Sequence, residues 1–294
     1  MDLRENGRAI LAMMVAMAAF IVNDTLIKLA SERLPLGEII FVRSAIAGTV
    51  ILAACLVTGT IRQLHHLKNR TVVIRTVAEI VSMLLYLVAL FRMPIANATA
   101  ILQALPLAVT AGAALFFNVP VGWRRWSAII VGFIGVLMIV RPGLEGFDVW
   151  ALVALASVLT VAVRDLVTRS MPATVPTLGV VLLALLSALV VGAGLFVTEE
   201  WVMPTQQELL WLAGAAGFLI VGFVTIIIAM RSGDISLVAP FRYSIILWAI
   251  VIGYVVWGDV PDPITVAGIV VIVAAGIYSL IRERKRQVVV AASS

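Results

Sequence analysis

Asn23-Asp24-Thr25-Leu26-Ile27-Lys28 closes the first apolar stretch of the chain, and 141 positions later Arg164-Asp165-Leu166-Val167-Thr168-Arg169 closes the sixth. Both place an acid four residues before a base at the end of a hydrophobic segment. The same offset joins Gly135 to Gly276 and Arg141 to Arg282, and an offset of 140 joins the break at Pro94 to the break at Asp234. A fixed period of this kind marks an internal duplication. Each copy holds five hydrophobic segments. Five is odd, so the second copy enters a membrane from the opposite side, which is the sequence pattern of an inverted repeat.

Composition agrees. Apolar residues make up 63% of the 294 and charged residues only 13%, with a mean hydropathy of +1.14, far from the balance of a soluble domain. About 20 residues cross about 30 Å of hydrocarbon. Ten stretches meet that length or nearly so, at 8–30, 37–58, 72–91, 95–117, 125–140, 149–168, 176–197, 208–230, 236–257 and 264–281. The expected fold class is therefore an all-α integral membrane protein, ten transmembrane helices arranged as two inverted five-helix repeats. The run from Ile10 to Leu29 is long enough to span and carries no small-residue cleavage site, so no cleavable signal peptide is expected. The lone cysteine, Cys55, lies inside the second segment and has no internal disulfide partner. Its expected role is packing.

Lys and Arg counted in alternate loops set the orientation. With a cytoplasmic amino terminus, that side collects Arg4, Arg8, Arg62, Lys68, Arg70, Arg124, Arg125, Arg169, Arg231, Arg282, Arg284, Lys285 and Arg286; the other collects Arg33, Arg92 and Arg141. Thirteen against three puts both termini in the cytoplasm. The formal charge of +5 is spread between segments rather than gathered in a patch, which argues against nucleic-acid binding. The two histidines, His65 and His66, sit in a basic loop. No nucleophile constellation, metal-ligand set or phosphate-binding loop is present, so neither an enzyme nor a cofactor is expected, nor direct ATP drive. A channel would show a selectivity sequence or paired half-helices, which this chain lacks. A carrier remains, as monomer or homodimer.

Several stretches in order resemble the EamA-type transporters of the drug/metabolite transporter superfamily: Asn23-Asp24-Thr25 with Lys28, Phe41-Val42-Arg43, Pro94-Ile95-Ala96-Asn97-Ala98-Thr99-Ala100-Ile101 leading to Pro106, Gly122-Trp123-Arg124-Arg125-Trp126, and Ala239-Pro240-Phe241-Arg242-Tyr243. The resemblance implies two five-helix repeats, 8–141 and 147–282, around a central cavity, a cytoplasmic tail at 283–294, and secondary transport by alternating access in a bacterial inner membrane. Within the family the pattern looks most like riboflavin uptake proteins, with S-adenosylmethionine carriers and exporters of amino acids or amines as alternatives. One departure is visible. The family often has Gly-Glu where the fourth helix of each repeat ends; the second repeat has Gly258-Asp259, but the first has Asn118-Val119.

Ionisable side chains inside spanning helices point to function. Asp24 and Lys28, Arg75 and Glu79, and Asp165 and Arg169 are each four apart on one helix face. Asp24 falls at a depth similar to Arg43 on the second helix. Gating or coupling is one reading of Asp24, Lys28, Arg43, Arg75, Glu79 and Asp165; structural ion pairs with snorkelling of Lys28 and Arg169 is the other. Aligning the breaks at Pro94 and Asp234 sets Gln103 opposite Tyr243, each about 13 Å along its helix and near the membrane midplane. Gln103, Tyr243, Trp248, Arg242 and Asn97 are the candidate substrate contacts, against interhelical hydrogen bonding. Pro106 and Pro240 are expected to kink their helices.

Overall fold

The computed structural model describes residues 3–117, 119–141, 148–172, 174–232 and 235–293. Among them ten helical spans are long and apolar enough to cross a bilayer. In chain order the helices are α1 (Leu3–Ala30), α2 (Leu36–Val57), α3 (Arg70–Arg92), α4 (Ile95–Leu102), α5 (Leu105–Phe116), α6 (Trp123–Val140), α7 (Val149–Arg169), α8 (Thr177–Leu195), α9 (Gln206–Ser232), α10 (Ile235–Val238), α11 (Ser244–Trp257) and α12 (Pro263–Ser293). Short 3-10 turns cover Thr60–Leu67 and Ala239–Tyr243. Two spans are composite: α4 with α5 is the fourth, and α10, the 3-10 turn and α11 form the ninth. Leu56, Phe116, Val190 and Leu247 stand more than half exposed on the outside of the bundle. A helix that is apolar all round belongs in lipid.

The packing shows the inverted repeat directly. The first span lies on the eighth (α1 on α9) and the third on the sixth (α3 on α7), one contact made in both directions. The second lies on the seventh (α2 on α8), the fourth on the ninth (α4 on α11) and the fifth on the tenth (α6 on α12). Only a twofold relation between the repeats pairs spans in this way. At two of these seams the backbones nearly touch. A Cβ on Gly135 would stand 2.9 Å from the Gly268 carbonyl oxygen, and one on Gly268 would stand 2.7 Å from that of Gly135; a Cβ on Gly192 would stand 2.8 Å from the carbonyl of Gly37. Small residues allow helices to approach this closely in membranes. Gly217, by contrast, has no neighbour within 4 Å of such a Cβ.

Both fourth helices are broken rather than kinked. α4 stops at Leu102, and Pro106 lies in the first turn of α5. In the second repeat Pro240 opens the 3-10 turn that precedes α11. Proline has no N–H to donate and disfavours helix in the residue before it, so a fresh helical start accommodates it where a continuous helix would not. Each broken span ends in the same backbone closure: the Val119 N–H bonds the Ala113 carbonyl at 3.2 Å and the Asp259 N–H bonds that of Gly253 at 3.1 Å. The family's missing acid in the first repeat therefore leaves this closure intact. Residues 283–293 of the expected tail continue α12, with neither proline nor glycine after Gly276 to stop it. Asn118, Pro142-Gly143, Glu145 and Gly233-Asp234 lie outside the described residues.

Candidate functional site

An ionised side chain at the centre of a spanning helix costs about 2.5–3.5 kcal/mol on insertion scales, so the partners of each one are informative. The duplicated acids have equivalent partners. Asn23 donates to Asp24 at 2.8 Å, and its counterpart Arg164 donates to Asp165 at 2.8 and 2.9 Å. Neither acid is paired with the base four residues on. Asp24 takes a second hydrogen bond from the Tyr86 hydroxyl at 2.6 Å and feels the charge of Arg43. Lys28 instead donates to the Met93 carbonyl and lies 5.1 Å from the centre of the Trp257 ring. The spacing puts each pair on one helix face without pairing it: each acid is held by the residue before it on its own helix, and Lys28 reaches the end of α3 instead.

Arg75, Glu79 and Asp165 come together, joined by Arg164. Glu79 bonds Arg75 at 3.1 Å and Arg164 at 3.2 Å, so the chain Arg75–Glu79–Arg164–Asp165 ties α3 to α7. Arg164, an intramembrane base, and Tyr86 are the two residues of these networks to which the sequence assigned no site role. The signal for Arg164 was available, since it corresponds to Asn23 in the echoed motif; Tyr86 carries no such mark.

The midplane residues form the second centre. The Gln103 amide donates to the Arg242 main-chain carbonyl at 3.5 Å, so the two breaks meet. Buried polar atoms without a hydrogen-bond partner concentrate here: Arg242 Nε, the Tyr243 hydroxyl, Ser244 Oγ and Trp248 Nε1. Buried polar groups are nearly always paired, and four unpaired within seven residues mark a place prepared for something else. The Tyr243 ring presses on α12, where a side chain at Gly276 would collide with its hydroxyl. Asn97 is half-buried in the first turn of α4, away from this group.

A cavity of about 230 Å³ runs from the break toward the end of the bundle that carries the amino terminus. Thr110, Val119, Arg125, Asp165, Arg169 and Arg242 are among its lining residues. The opposite end is clasped. Arg33 grips Glu208, which also accepts from the Thr205 N–H and hydroxyl at the start of α9, a reciprocal cap. Arg141 grips Asp262, which caps α12 through Thr265. A groove of about 530 Å³ at that far end, between Leu36, Phe91, Arg92 and Trp150, contains none of the midplane residues.

Comparison with known proteins agrees with this architecture. The EamA-like transporter family model matches residues 7–141 and again 148–281. The S-adenosylmethionine uptake transporter of Rickettsia prowazekii is 25% identical over 90% of this chain and 89% of its own. The pseudopaline exporter CntI of Pseudomonas aeruginosa is 29% identical over 97% and 99%, and the riboflavin transporter of Vibrio cholerae 28% identical over 85% of each. A solved crystal structure 21% identical superposes with a TM-score of 0.64 over 93% of this chain and 98% of the other. With the family matched once in each half and ten spans built as two inverted repeats, this multi-pass membrane chain belongs to the EamA-like transporter family.

Proposed function

We propose that this transporter is a secondary carrier of a small organic metabolite, working by alternating access from a bacterial inner membrane with both termini in the cytoplasm. The observation that carries the reading is the inequality of the two ends. A cavity leads from the meeting of the two broken spans to the face that bears the amino terminus, while Arg33–Glu208 and Arg141–Asp262 clasp the far face. That is the arrangement of a carrier facing the cytoplasm. Gln103, Tyr243 and Trp248 supply an amide, a phenol and an indole to the substrate, and Asp24 is the group placed to couple transport to protons.

Three chemistries appear among the names of the relatives, and riboflavin is the first to test, since two aromatic side chains and an amide suit a flat heterocycle. Growth rescue of a riboflavin auxotroph lacking its own importer is the decisive assay. Rescue supports riboflavin uptake; failure with confirmed membrane expression moves the substrate to one of the other chemistries. Saturable uptake with counterflow in proteoliposomes separates a carrier from a channel, for which counterflow is absent.

A further inference from the structure

Two of the positions at which the repeats differ line the same cavity. Arg242 stands where the first repeat has Leu102, and Val119 stands where the second repeat has Asp259. Both differences act in one sense. Lys28 lies in the field of Asp259 and Glu32; its counterpart Arg169 instead shares the cavity wall with Val119. Asp165 is the one acid among the described lining residues, and it is already engaged by Arg164 at 2.8 Å. Arg242 has no carboxylate partner among the described residues, and its Nε is buried and unpartnered. The wall therefore carries Arg169 and Arg242 against one occupied acid.

We propose that this cavity receives an anionic group of the carried metabolite, a carboxylate or a phosphate, with Arg242 holding it at the break and Arg169 drawing it in from the mouth. Arg offers the forked donors that such groups accept. The inference rests on the carrier reading and competes with riboflavin as the cargo, since riboflavin is uncharged at neutral pH and has no anion to place there.

Charge in the cavity is measurable without knowing the cargo. In a Cys55→Ser background, Thr110→Cys puts a thiol on the cavity wall. Its rates with the anionic reagent 2-sulfonatoethyl methanethiosulfonate and the cationic 2-(trimethylammonium)ethyl methanethiosulfonate are each divided by the rate with free cysteine. The sulfonate is expected to be favoured by about tenfold, the lower range for a cleft lined by one sign of charge. Arg242→Leu and Val119→Asp, which install the residues of the other repeat, should each remove most of that preference. Slowing of the sulfonate by inorganic phosphate but not L-glutamate assigns a phosphate, and the reverse assigns a carboxylate. Equal rates, labelling by neither reagent, a preference that survives Val119→Asp, or no slowing by either anion would overturn the proposal. Counterflow measured on the same protein is a separate readout: counterflow with equal labelling rates sinks the anion site and leaves the carrier standing.

Discussion

The Gln103 side-chain amide reaches across the bundle to the Arg242 main-chain carbonyl, 3.5 Å away, and so joins the interrupted span of one repeat to that of the other. The Arg242 carbonyl also takes the Ser244 N–H at the end of the 3-10 turn, and an oxygen with two lone pairs has room for both donors. If the bond served stability alone, its loss would cost about 0.6 kcal/mol, the average for polar pairs between membrane helices. Gln103→Leu is expected to lower transport more than tenfold while leaving the unfolding midpoint in detergent nearly unchanged. Unaltered transport would return Gln103 to a packing role.

Asp24 is the site proposed for proton coupling, with Tyr86 as its donor at 2.6 Å. Asp24→Asn should abolish accumulation driven by a pH gradient and preserve counterflow, which needs no driving force. Accumulation that persists in the variant excludes Asp24 as the coupling group.

The Gly135–Gly268 seam leaves no room for a side chain on either helix. Gly268→Val is expected to destabilise the protein by about 1–3 kcal/mol, the usual cost of overpacking, seen as a lower melting temperature in detergent. Gly217→Ala meets open space and serves as the control. A melting temperature unchanged in Gly268→Val would show that the seam yields.

The Arg141–Asp262 clasp lies outside the spans and has a definite acid limit. Burial pushes the Asp262 carboxyl up, but the Thr265 hydroxyl and N–H and the Arg141 guanidinium outweigh it and hold the carboxyl down to about 2. Because that value is depressed from the ordinary 3.8, the stabilisation is complete above pH 3.8 and is lost as pH falls toward 2. Amide exchange at the start of α12, corrected for intrinsic rate, should be constant from about pH 7 to 5 and accelerate below about pH 4. Asp262→Asn should remove the acceleration. A transition above pH 5 would assign the acid sensitivity to another group.

Arg164 stands between two acids, and its removal leaves Glu79 and Asp165 without their common partner. A double-mutant cycle with Arg164→Gln and Glu79→Gln should give a coupling within about 0.5–3 kcal/mol, toward the lower end because both side chains are about a quarter exposed. Additive effects would show that the contact carries no stability.

Much of this was legible from residue order. Length and hydropathy mark the ten spans, and the echo of Asp24 in Asp165 marks the inversion. Pro106 and Pro240 mark the irregular spans, but a proline alone does not separate a kink from a break. The charge partners were hidden too. Spacing along one helix put Lys28 under Asp24, while Met93 and Tyr86 arrive from elsewhere in the chain. Glu208 and Asp262 read as loop acids because their partners, Arg33 and Arg141, lie far away in sequence.

The like-on-like seams of α2 with α8 and α6 with α12 are isologous, the kind of contact two identical subunits make. A dimer of separate half-length chains would carry Arg at both 102 and 242 or at neither, and an acid at both 119 and 259 or at neither. Joining the halves in one polypeptide removes that restriction. Each mouth can then acquire its own affinity while the seams stay symmetric.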